Sequence, residues 1–272
     1  MKLAAVAQAA ATTALAAAAI MAVNYVALRQ IVFAPSGSIV LLSRLMEYGT
    51  AQDYLARTCT SEVYAICAYR DRLPHRFNDF MWDRAGIIHE LGGSETDTPE
   101  AAVLVRRIIL DAPLRHVTLA LQASVAQFIY FPTGWGLWPP YDHDSEIWRM
   151  VHRYFAREAA MFDNSLQQRG ALPLDSINRV HIPLGYILLV TDGVLLGYAL
   201  IRKRSRIALF LLVVFVALAI NAFLCGALSS SDGRYQSRMM PLMMVGLFVA
   251  INDLWLATAP CASLSRLKLR IR

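Results

Sequence analysis

The sequence predicts an all-helical integral membrane protein, with about four transmembrane helices and one external helical domain between the first and second spans. Three observations carry this expectation. The 272 residues are 57% hydrophobic and only 17% charged, with a mean hydropathy of +0.42, a balance too apolar for an ordinary soluble domain. Three apolar runs near the C-terminus, Pro183–Ile201, Ile207–Leu228 and Met239–Ala259, are each about as long as the roughly 20 residues that carry a helix across a bilayer. The surplus positive charge is confined to short segments beside the apolar runs.

Charge placement gives the expected topology. Between Arg29 and Ile182 there are 15 Arg, no Lys and 17 Asp plus Glu, so the pI of about 9.3 does not arise there. It arises from Lys2, from Arg202, Lys203, Arg204 and Arg206, and from Arg266, Lys268, Arg270 and Arg272, in flanks without acids. If Leu3–Leu28 spans with its N-terminus inside, every one of these flanks falls on the cytoplasmic side, as the positive-inside rule requires. The charge therefore needs no nucleic-acid partner; its expected partner is membrane lipid. The resulting plan is a signal-anchor helix over residues 1–28, an external (periplasmic) helical domain over 29–182, a three-helix membrane region over 183–260 and a basic cytoplasmic tail over 261–272. Both termini are then cytoplasmic, in a multi-pass protein of the bacterial inner membrane.

The elements follow in order. Leu3–Leu28 exceeds the apolar core of a signal peptide and lacks a clear small-x-small site followed by a polar start, so an uncleaved anchor is expected. Ser38–Tyr48 has helical apolar spacing and ends at Gly49, and Thr50 is placed to cap Ala51–Arg57. Thr98-Pro99-Glu100 opens a helix to about Asp111 with a cap residue, a first-turn proline and an acid near the positive end of the dipole. Pro113 interrupts it. Leu114–Phe131 sets an apolar face against His116, Thr118, Gln122, Ser124 and Gln127, which suits packing beneath the domain or lying in the membrane interface. A spanning role there would invert the downstream topology. The Pro- and Gly-rich stretch Phe131–Tyr141 is irregular, with aromatics suited to the headgroup layer. Ser145–Arg169 reads as one amphipathic helix stopped at Gly170.

Few residues point to chemistry. Cys59 and Cys67 lie in the expected external segment and pair there as a disulfide, or stay as two buried thiols. The six histidines show neither HxxxH nor HExxH spacing and the cysteines no CxxC pair, so neither a metal site nor any other cofactor is expected. Asp142, His143, Asp144 and Glu146 concentrate carboxylates around one His, as a cation site, an acid–base pair or a solvated helix start. Asp192 lies mid-span, where an ionisable group costs about 2.5–3.5 kcal/mol on insertion scales and so calls for a partner or a function; Asn221 in the next span, or Asn24, is the candidate partner. Arg234, Tyr235 and Arg238 stand at the outer mouth of the last helical hairpin. Two guanidiniums there can meet a phosphate bidentately, or anchor ordinary headgroups.

The stretch from Asp232 to Pro241, containing Arg234-Tyr235 and Pro241 ahead of an apolar run, resembles the Arg-Tyr-x-x-x-x-x-Pro region near the end of bacterial multi-pass glycosyltransferases of the GT-C type, which use polyprenyl-phosphate sugars. Ser36-Gly37-Ser38, Leu41 to Arg44, Cys67 to Asp71, Leu91-Gly92-Gly93, Asn221 to Leu228 and Arg234 to Arg238 are in addition similar to uncharacterised bacterial membrane proteins. The resemblance implies that Arg234, Tyr235 and Arg238 contact a lipid phosphate. It also implies the C-terminal half of such an enzyme without its catalytic half, since the family's catalytic Asp belongs to a first external loop that this chain does not match. No catalytic residue is carried over.

The expected role is binding or handling a lipid-linked glycan or polyprenyl phosphate at the outer face, alone or beside a catalytic protein partner. Two other readings stay open at this point: a non-enzymatic accessory subunit of a larger membrane complex, and a small complete glycosyltransferase using Asp142, Asp144 or Asp192.

Overall fold

A computed structural model of the chain describes residues 3–61, 64–83, 86–93, 99–134, 136–137, 141–143 and 145–258. The described residues are helical, with no strand among them. In order, the helices are α1 (Leu3–Leu28), α2 (Gly37–Glu47), α3 (Thr50–Thr58), a 3₁₀ helix (Ala65–Arg72), α4 (Phe77–Met81), α5 (Ile87–Glu90), α6 (Pro99–Asp111), α7 (Pro113–Phe128), α8 (Glu146–Tyr154), α9 (Ala159–Asp163), α10 (Leu174–Ile201), α11 (Ser205–Ala227), α12 (Gly233–Ser237) and α13 (Met240–Thr258). Four stretches are long and apolar enough to cross a membrane: Ala7–Leu28, Leu174–Ile201, Ser205–Ala227 and Gly233–Leu254. The chain is accordingly a multi-pass helical membrane protein. The basic tail, with Cys261, lies outside the described residues, as do Thr98 and Asp144.

The helices group into two compact units, Met1–Leu119 with Leu228–Ser230, and Ala120–Ala227 with Ser231–Arg272. Residues 120–182, expected to belong to the external domain, thus group with the three later spans.

In the first unit the core comes from helical apolar spacing on short segments. Ile39, Leu42, Leu45 and Met46 of α2 share one face, as do Ala101, Leu104, Val105 and Ile108 of α6, and both faces are buried together with Leu55, Ile66 and Phe80. Three local features differ from expectation or add to it. Gly49, not Thr50, occupies the cap position before α3, with φ 74°, a left-handed conformation that glycine adopts without a Cβ clash. The Thr50 hydroxyl instead donates to the Leu45 carbonyl at 3.2 Å and lies 3.1 Å from His116 Nε2. The Glu100 carboxylate accepts from the Ala65 and Ile66 amides at 2.9 and 3.3 Å, so it satisfies the start of the 3₁₀ helix.

Cys59 and Cys67 are joined as a disulfide with their Cα atoms 5.5 Å apart, and both pack against the core. Their link closes a short loop between α3 and the 3₁₀ helix. Arg57 donates to Asp111 at 2.6 Å, tying α3 to the end of α6, and Arg115 pairs with Asp53 at 2.9 Å. In α1, Asn24 donates to the carbonyls of Val32 and Phe33 at 2.8 and 3.2 Å, so it turns the chain out of the helix and is not a partner for Asp192.

In the second unit α10, α11 and α13 pack on one another around Leu188, Val214, Leu218 and Met243. Apolar residues such as Val190, Leu212, Val213 and Phe248 point outward, the surface that hydrocarbon would cover. Two expected boundaries change. The helix expected to begin at Pro183 begins at Leu174 and runs through the proline for 28 residues. At 1.5 Å per residue that is about 42 Å, longer than a hydrocarbon core of about 30 Å, so its first turns extend beyond the apolar part. The single helix expected over Ser145–Arg169 is broken: α8 ends at Tyr154, Phe155 leaves the helical region at φ −126°, ψ 46°, and α9 folds back. His152 Nε2 thereby comes within 3.0 Å of Asp163 Oδ2, whereas 11 residues of straight helix would separate them by about 16 Å.

Two outcomes test this account of the first unit. The double substitution Cys59→Ser, Cys67→Ser should lower stability by about 2 kcal/mol, the scale of a short closed loop, read as a lower thermal midpoint that dithiothreitol reproduces in the native protein. The hydrogen bond from Arg57 holds the Asp111 carboxyl below its usual range. The pair therefore stabilises the fold above the unfolded-state value near 3.9, and this is lost as pH falls through the depressed folded value. Unfolding midpoints of Asp111→Asn and wild type should differ at neutral pH and converge in acid.

Candidate functional site

A buried polar cluster in the second unit is the hairpin between α11 and α13, built on three unusual contacts. Gln127, at the end of α7 and wholly buried, donates to the Asp232 carbonyl at 2.9 Å and accepts from the Asp232 amide at 2.8 Å. One side-chain amide thereby satisfies both backbone groups of a residue 105 positions away, as a paired strand would. Gly233 comes next and rests on the chain at Pro132: a Cβ built there would lie 2.3 Å from the Pro132 carbonyl oxygen, so only glycine fits. The Ser237 hydroxyl, one turn on, lies 2.8–2.9 Å from the carbonyls of Phe131, Pro132 and Gly233 and donates to one at a time. From α11, Asn221 donates to the Tyr235 carbonyl at 3.1 Å and to Gln236 Oε1 at 3.0 Å.

On this frame Asp232 caps α12, accepting from the Arg234 amide at 2.9 Å. Arg234 folds back so that Nε lies 3.0 Å from Asp232 Oδ2, close enough for an ion pair but not aligned as a hydrogen bond. Its Nη2 donates to the Tyr235 hydroxyl at 3.2 Å. The guanidinium carbons of Arg234 and Arg238 lie 5.1 and 5.6 Å from the centroid of the same Tyr235 ring, within cation–π range. The three residues singled out from sequence are therefore brought together. Their roles are unequal, because Arg234 is half committed to the buried Asp232 whereas Arg238 is exposed, with no carboxylate partner among the described residues. Two arginines against one aspartate leave the cluster with one net positive charge.

The adjoining loop is held by the same device. Asn178 of α10 accepts from the Thr133 amide at 2.8 Å and donates to its carbonyl at 3.0 Å. Gln168 accepts from the Tyr141 amide at 2.9 Å and donates to its carbonyl at 2.7 Å. Phe131, expected with the headgroup aromatics, is instead fully buried against Gly185, where a Cβ would lie 2.7 Å from its ring. No sequence signal marked Gln168 or Asn178; Gln127 was visible only as a polar position on an otherwise apolar helix.

The remaining candidates separate. Asp192 is wholly buried, its carboxylate oxygens receive no hydrogen bond among the described residues, and Oδ2 lies 3.0 Å from where a Cβ on Gly246 would stand. Asn221, expected beside it, is spent on the hairpin instead. Asp192 and the arginine cluster therefore form no joint site. Asp142 and His143 are exposed, His143 lying edge-on to Trp148 at 4.4 Å. No group of three or more His, Cys, Asp or Glu that could hold a metal occurs among the described residues. A pair the sequence did not suggest is His152, stacked on Trp148 at 3.6 Å and raised above the usual imidazole range by its contact with the Trp148 carbonyl and then by Asp163.

The frame predicts its own sensitivity. Gln127→Leu keeps the volume but strands the amide and carbonyl of Asp232, and should cost about 2 kcal/mol or more. Gly233→Ala should cost about 1–3 kcal/mol by forcing the hairpin off Pro132. Both are read as lowered thermal midpoints in detergent, with Gln122→Leu, on the same helix, as the neutral control.

Compared with protein-family models, curated proteins and solved structures, the chain has no match in any of the three.

Proposed function

We propose that this membrane protein binds the phosphate of a lipid-linked glycan or polyprenyl phosphate at the outer face of the bacterial inner membrane, without a complete catalytic centre of its own. The observation that carries the reading is the pairing of two guanidiniums on one Tyr235 ring, with Arg238 exposed and one positive charge in excess. Arginine's planar fork matches two phosphate oxygens at once, which a point-charge ammonium does not. The buried amides beneath hold the cluster in place before ligand arrives, which lowers the ordering cost of binding.

The outer face follows from charge. Arg202, Lys203 and Arg204 occupy the turn between α10 and α11, with Arg206 in the first turn of α11, and positive turns favour the cytoplasmic side. α11 spans 23 residues, about 35 Å, enough to place the hairpin at its far end on the opposite side. Absence of catalysis is inferred from the acid at the cluster. Asp232, the carboxylate that meets Arg234, is buried and engaged as helix cap and ion-pair partner, and so is not available as a general base.

Binding of a C55 polyprenyl phosphate to the protein in nanodiscs tests this. Arg238→Ala should weaken binding about tenfold or more, as expected for loss of one charge-assisted contact, and Arg238→Lys should recover only part of it. Arg238→Ala is cleaner than Arg234→Ala, which also leaves Asp232 unpaired. Affinity unchanged in both Arg238 variants would remove the proposal.

A further inference from the structure

The hairpin borders a cleft of about 590 Å³, within the roughly 300–1,000 Å³ of small-molecule sites. Gly233 and Pro132 form part of its wall, and Gly233 directly precedes Arg234 in the chain. The cleft's lining also includes Asp175 and Ser176 at the start of α10, both exposed, together with Tyr130 and Leu172.

The cleft is built rather than incidental. Asn178 spends both ends of its amide on the backbone of Thr133, fixing one wall to the other. Gly134, at φ +90°, presses so close to Leu174 that a Cβ would stand 2.5 Å from its methyl carbon. The Asp175 carboxylate and the Ser176 and Thr133 hydroxyls, by contrast, have no hydrogen-bond partner among the described residues and are free for a ligand.

We propose that this cleft binds the glycan of the lipid-linked ligand, with neutral pyranose sugars as the chemical class; the inference rests on the reading that the neighbouring arginines hold the lipid phosphate. A carboxylate with two hydroxyls accepts from and donates to vicinal sugar hydroxyls, while the Tyr130 ring and the Leu172 side chain meet the C–H face of a pyranose. Asp175 disfavours a second phosphate by like charge, and an acyl chain would bury the carboxylate and hydroxyls without partners. A headgroup whose phosphate sits on Arg238 and whose first sugars extend past Gly233 satisfies both halves.

The test uses the full chain in nanodiscs on an array of phosphate-free oligosaccharides, neutral, N-acetylated, amino and acidic, followed by titration with the strongest neutral binder. The wild-type protein should retain neutral or N-acetylated members. Asp175→Ala should weaken that titration about tenfold, Ser176→Trp, which fills the cleft, should abolish it, and Arg238→Ala should leave it unchanged, since no phosphate is present. Retention of no neutral or N-acetylated sugar, or retention indifferent to both Asp175→Ala and Ser176→Trp, would overturn the assignment. Sugar binding without polyprenyl-phosphate binding would uphold the cleft and discard the phosphate reading, and the reverse result would discard the cleft alone.

Discussion

The order in the second unit depends on one buried amide. Gln127 pairs with both backbone groups of Asp232, in surroundings where water does not compete and an unmet partner is expensive. That pairing places Gly233 on the Pro132 carbonyl and brings Ser237 within reach of Phe131 and Pro132. The direction of α12, and hence the side on which Arg234, Tyr235 and Arg238 emerge, follows from it.

Asn178 and Gln168 repeat the solution along the same loop. Phe131–Tyr141 is rich in proline and glycine and cannot satisfy its backbone through a helix or a strand. Beside membrane spans, however, unpaired amides and carbonyls are least affordable. Side-chain amides, carrying donor and acceptor at one end, stand in for the missing ladder at Asp232, Thr133 and Tyr141. Thr133 and Tyr141, in a stretch whose composition predicts no regular structure, are thereby held in place, which is what a binding surface requires.

Glycines in the spans serve a matching purpose. Gly185 of α10 makes room for Phe131, Gly226 of α11 for Ala123 and Gln127, and Gly246 of α13 for Asp192. Small residues at such positions let polar and aromatic groups enter where larger side chains would hold the helices apart. The loop and the end of α7 are in this way packed into the bundle that α10, α11 and α13 form.

Much of the architecture was legible in the chain alone, because it depends on local quantities. Apolar run length marks α1, α10, α11 and α13, and Pro99 with Glu100 marks the start of α6. Helical apolar spacing marks α2, and two cysteines in a segment expected to be external suggest their bond. The grouping of Arg234, Tyr235 and Arg238 was legible too, since they share about one helical turn. Elsewhere pairing across distance decided. The break at Phe155 follows no proline or glycine and is seen only through the His152–Asp163 contact, and Pro183 does not start α10 because the helix already runs from Leu174. Asn221 turned from Asp192 to the hairpin, Arg234 took Asp232 as a partner, and Gln127, Asn178 and Gln168 found backbone from 27 to 105 residues away. Local sequence sets which segments are apolar and which can be helical; which buried polar group meets which is settled only when the helices close and every donor must find an acceptor.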